Sequence, residues 1–109
     1  MNWVDELEVE LQRGKQAEAA GNAGRVRTCA RRAVGVVVTE FQSETTNKYG
    51  NDAVRQLEGI ASDDLLPGEV REAAERLHAR ILKNFTSRSE HPLDDALVII
   101  DYFRKKLLL

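Results

Sequence analysis

Four arginines, Arg25, Arg27, Arg31 and Arg32, crowd one short stretch of the chain. Such a concentration of guanidinium groups is the chemistry of anion, phosphate or RNA binding. With successive helical residues about 100° apart, Arg25 and Arg32 flank one edge of an apolar stripe, and Arg27 and Arg31 flank the other. The same placement suits a plainer role, in which arginine stems cover the edges of the stripe and their heads pair with acids of a neighbouring helix. No exposed aromatics are interleaved with the basic residues, as a single-strand-binding surface would require. Glu40 falls inside the same stripe, and Arg104 falls among Leu93, Ile100, Phe103 and Leu107. Charges on apolar faces need partners. The two are expected either to approach one another, across the bundle or across a subunit interface, or to snorkel out near their helix ends.

Other reactive side chains are sparse. The one cysteine, Cys29, stands among arginines that would lower its pKa, yet its place on the apolar stripe suits a buried structural thiol better. The two histidines, His78 and His91, are separated by a loop, and His91 precedes Pro92 at an expected helix start. No HExxH, CxxC, EF-hand, GxGxxG or Walker pattern and no pair of Glu-x-x-His motifs occurs, so the motifs point to no metal and no cofactor.

The elements that must carry these residues are helices, because apolar residues recur at three, four and seven. A first helix over 3–20 has Trp3, Val4, Leu7, Leu11 and Gly14 on one face and acids in its N-terminal half, matching the positive end of the helix dipole. Gly21 and Gly24 break the pattern around Asn22, a capping residue, and so short a turn makes the next helix an antiparallel neighbour. That second helix, over 23–42, places Val26, Cys29, Ala30, Ala33, Val34, Val37 and Phe41 at core spacing. A polar connector over 42–51 leads to a short helix over 51–61 with Val54, Leu57 and Ile60. A fourth helix, over 67–84, begins on Pro67 and uses Val70, Ala73, Ala74, Leu77 and Ile81; a loop at 86–89 follows. The last helix opens at Pro92, with Asp94 and Asp95 in its first turn and Arg104, Lys105 and Lys106 in its last. The expected architecture is all-α: an up-and-down four-helix bundle with an additional short helix, as one domain over 1–109.

Two strips face away from the expected core. Thr28, Gly35 and Thr39 on the second helix would let another helix approach closely, and Val98 and Tyr102, with Leu109 beyond, form a small apolar face on the last helix. Either is a candidate homodimer contact.

The 109 residues are 42% hydrophobic and 31% charged with a formal net charge of −2, which speaks against a dedicated nucleic-acid binder. There is no leader-like segment and no apolar run near the roughly 20 residues of a membrane span. A soluble cytoplasmic protein, not a membrane one, is expected.

The layout resembles the HEPN domain. The likeness is carried by a first helix ending at Ala19-Ala20-Gly21, by Gly24-Arg25 and Cys29-Ala30-Arg31-Arg32-Ala33-Val34, by the Leu57 and Leu77 helices, and by Asp94 to Phe103 behind a proline-containing loop. The resemblance implies a four- to five-helix bundle, often homodimeric and frequently found with a minimal nucleotidyltransferase partner. In its catalytic branches it implies metal-independent RNA cleavage by an arginine followed, after four to six residues, by a histidine. Here the arginine would stabilise phosphate charge and the histidine would move a proton. Arg88 to His91 is too short for that spacing; Arg71 to His78, with six residues between, meets its loosest form. The expected function is a non-catalytic interaction or dimerisation module with an unidentified protein partner; the alternative is a metal-independent ribonuclease or toxin-like protein using Arg71 and His78. RNA is a partner only under the alternative.

Overall fold

Helix formation here starts from its caps. In the computed structural model, which describes residues 2–44, 48–79 and 90–108, the Asn2 side chain accepts the Asp5 N–H at 2.9 Å and opens α1 (Trp3–Ala19). α1 ends where Gly21 adopts φ +72°, a left-handed conformation that suits glycine. The Asn22 N–H returns to the Ala17 carbonyl at 2.9 Å, and the Asn22 side chain accepts the Arg25 N–H at 3.1 Å. One residue thus closes α1 and starts α2 (Ala23–Glu44). Asp52 caps α3 (Ala53–Ala61) in the same way through the Arg55 N–H at 3.0 Å. α4 (Gly68–His78) begins one residue later than expected, because Pro67 stands as its N-cap, with its carbonyl accepting the Val70 and Arg71 N–H groups. α5 (Pro92–Leu107) has proline at its start, as expected. His91 occupies the N-cap position of α5 without a side-chain capping bond.

The described residues are all-helical, with α2 as the hub. α1 and α5 pack along α2, α4 packs against α5 and α3, and α3 touches α2 more lightly. The core is one cluster built from Leu7 and Ala17 of α1, the Val26-to-Val38 stripe of α2, Leu57 and Ile60, Val70 to Leu77, and Leu93 to Phe103. Phe103 is its aromatic centre, edge-on to Phe41, Tyr49 and Tyr102 with ring centroids 5.1, 6.1 and 5.2 Å away. No described helix is long and apolar enough to cross a membrane.

One expectation for the core needs correction. Val54 is half exposed, and Gln56 takes the inward position on α3 at 1% exposure. The reason is polar: Gln56 Nε2 donates to Thr39 Oγ1 at 3.0 Å and to the Gly50 carbonyl at 3.2 Å, so the roll of α3 follows the carbonyls of the connector. Ile81, the 86–89 loop with Arg88, residues 45–47 and Leu109 lie outside the described residues.

Candidate functional site

The arginine cluster does not act as a unit. Arg31 turns inward from α2 to the C-terminus of α4, where Nε donates to the Leu77 carbonyl at 2.8 Å and Nη2 to the His78 and Ala79 carbonyls at 3.4 and 3.2 Å. Those carbonyls are the unsatisfied, partially negative end of a helix, so the guanidinium serves as a cap supplied from another element. Burial, and then the charge of Arg27, lower its pKa below the ordinary arginine value. The arginine-to-acid pairing expected from the sequence is replaced at this position by pairing to backbone.

Arg25, Arg27 and Arg32 remain outside. With Arg13 of α1 they line an open cleft over Asn22 and Thr28, and no carboxylate among the described residues lines it. Arg13 bonds Glu10 at 3.3 Å, whereas none of the other three has an ion-pair partner among the described residues. Thr28 Oγ1 donates back to the Gly24 carbonyl at 3.1 Å, and Cys29 is a buried free thiol beneath.

Arg71 and His78 sit at opposite ends of α4, about 10 Å apart by helical rise. Arg71 Nη1 reaches Asp64 Oδ1 at 3.5 Å, and its Nε is buried without a partner. The His78 ring is partly buried with Nδ1 unpartnered, and its carbonyl accepts from Arg31. The two side chains share no described pocket with each other or with the arginine cleft. Among the described residues no group of three or more His, Cys, Asp or Glu gathers as metal ligands would.

Glu40 and Arg104 form no ion pair with one another, nor with any other described residue. α5 is turned so that Ile100 and Phe103 point inward, which leaves Arg104 exposed. The carboxylate that is buried on α5 is Asp95 instead. Arg76 of α4 grips it with Nη2 at 2.7 Å from Oδ1 and Nε at 3.2 and 3.3 Å from the two oxygens. Those bonds raise the pKa of Arg76. Asp95 lies four residues before Ile99, so a wheel places it at the edge of the core face; read as a dipole partner in the first turn, it gave no sign of Arg76.

A second polar cluster escaped the sequence entirely. Gln42 brackets the connector, its Oε1 accepting the Tyr49 N–H and its Nε2 donating to the Gly50 carbonyl at 2.8 Å. Tyr49 Oη donates to Asp63 at 2.6 Å, Lys48 pairs with the same carboxylate at 2.9 Å, and the Leu65 N–H donates to it at 3.0 Å. The tyrosine hydroxyl, the lysine and the backbone N–H together hold the Asp63 pKa down to about 2. Burial, then the bond to Asp63, raises that of Tyr49 well above the ordinary tyrosine value.

The strips facing away from the core are partly occupied. A Cβ on Gly35 would stand 3.5 Å from Gln56 Oε1 and 3.6 Å from the Ala53 Cβ, so the neighbour that comes close to Gly35 and Thr39 within the chain is α3. Thr28 stays exposed. Val98 and Tyr102 pack half-buried against the core edge, and Lys106 lies 5.5 Å over the Tyr102 ring. Comparison of the chain with protein-family models, curated proteins and solved structures returned no match.

Proposed function

We propose that the chain is a non-catalytic, HEPN-like helical bundle, four principal helices and a short one, that works in the cytoplasm as a protein-interaction and dimerisation module. The observation that supports this reading is the division of labour among its cations. The two residues that cleavage chemistry would need stand apart along α4, with Arg71 drawn to Asp64 and the backbone of His78 held by Arg31, while exposed Arg25 and Arg32 and half-buried Arg27 have no ion-pair partner among the described residues. Ion pairs left open on one face are what a partner's surface completes.

The experiment is an RNA-cleavage assay of wild type and His78→Ala with a chelator present, on material whose mass has been measured by light scattering. No cleavage by associated wild type is expected. Chelator-resistant cleavage that disappears in His78→Ala would overturn the reading in favour of a metal-independent ribonuclease.

A further inference from the structure

The outward face of α2 carries Arg25, Thr28, Arg32, Gly35 and Thr39 at spacings of three and four. α1 runs antiparallel beside it, so Arg13 lies beside the N-terminal half of this strip, and Glu10 and Glu6 beside the C-terminal half. Two grooves result, and they meet at Arg32. The first is lined by Arg13, Arg25, Arg27 and Arg32 and, among the described residues, by no carboxylate. The second holds Glu6, Glu10 and Glu40 against Arg32 alone, with Gly35 and Gln56 in its lining and Trp3 on its wall. One face therefore runs from positive to negative along its length.

The negative groove also has unmet hydrogen-bonding capacity. Glu10 Oε2 and Gln56 Oε1 are both buried and both without a partner. Gln56 itself is only 1% exposed. A buried acceptor left unmade is costly, and native structures rarely keep one. Arg32, the cation within the same groove, makes no ion pair with Glu10.

We propose that this face is the two-fold contact between copies of the chain, with their α2 helices antiparallel. The inference rests on the interaction-module reading and names its partner. A parallel arrangement would set like charge on like. An antiparallel two-fold keeps the α1 flank of one copy against the α1 flank of the other and reverses its direction. Arg13 and Arg25 of each copy then meet Glu6 and Glu40 of the other, about 22 Å along the helix from one charge cluster to the other. Arginine donors of the second copy lie over the groove that holds Glu10 and Gln56, and the exposed small residues Thr28 and Thr39 let the helices approach. The site is incomplete in one chain and complete in two.

The test is light scattering on a size-exclusion column for wild type, Arg25→Glu, Glu40→Arg and the combined variant, at about 0.05 M and about 0.5 M salt. Wild type is expected to be a dimer that weakens at the higher salt. Each single reversal is expected to raise the dissociation constant at least about tenfold, and the combination to recover the dimer. Should Glu40→Arg lose helicity by circular dichroism, Glu6→Arg on the exposed side of α1 replaces it. A dimer indifferent to both reversals, or a combined variant no tighter than the singles, overturns this face while leaving association by another one. A monomeric wild type overturns the contact itself. Cleavage is a separate readout, so failure of the underlying reading is recognised independently.

Discussion

Arg31 and Arg32 are sequence neighbours with the same side chain, and they serve opposite regions of the molecule. On the side where α2 meets α4 and α5, charge is spent inside the fold: Arg31 caps α4 across 46 residues of chain, and Arg76 holds Asp95 at 2.7 Å. On the side where α2 meets α1 and α3, Arg32 has no ionic partner among the described residues and two acceptor oxygens are buried unmade. One helical step, about 100° of azimuth, separates a residue that holds the fold together from one that the fold leaves available. A cluster of like residues is therefore not one site by virtue of its composition; each member is assigned by the element it faces.

The largest test of this contrast is to truncate both arginines. Arg31→Ala removes bonds to three carbonyls at a helix end and strands them in a partly buried place, so urea denaturation should show a loss of about 2–3 kcal/mol. Arg32→Ala, at an exposed position, should stay within about 0.5 kcal/mol. Equal losses would erase the distinction between the two sides.

A middle-sized effect is expected at the connector. Asp63 has its pKa depressed to about 2 from an ordinary 3.8, so the folded state binds that proton less readily than the unfolded chain. Its stabilisation is complete above pH 3.8 and is lost as pH falls toward about 2. Tyr49→Phe takes away the largest cause of the depression. The Asp63 carboxyl titration followed by NMR should move up toward its ordinary value, with stability reduced by about 1 kcal/mol at neutral pH. An unmoved titration would assign the depression to Lys48 instead.

The smallest effect sharpens the comparison most. A Cβ on Gly35 meets its neighbours at ordinary contact distances of 3.5 and 3.6 Å, and alanine is the better helix former by about 0.5–1 kcal/mol. Gly35→Ala should therefore raise the melting temperature slightly while loosening association. A variant that gains stability and keeps full association would show that the strip has no role in contact.

Much of the scaffold was legible in the residues because helical periodicity and caps are local. Asn22, Pro92 and the α2 stripe from Val26 to Val37 act within a turn or two of themselves, and they sit where their spacing puts them. The connector pins were not legible. Nothing in the spacing marks Gln42 or Gln56, and only the return of the Gly50 carbonyl against both gives them a reason to be inside.

Local pattern is enough to make the chain helical, to set where most helices begin and to mark which stripe of α2 is apolar, since these follow from interactions among residues three or four apart. Long-range packing is what turns Gln56 and not Val54 inward, gives Asp95 to Arg76, and consumes Arg31 but not Arg32 in the fold. Each of those choices lies at the edge of an apolar face, where one step of rotation exchanges core for solvent. The neighbour that settles it comes from a distant part of the chain, and no local pattern records where that neighbour will be.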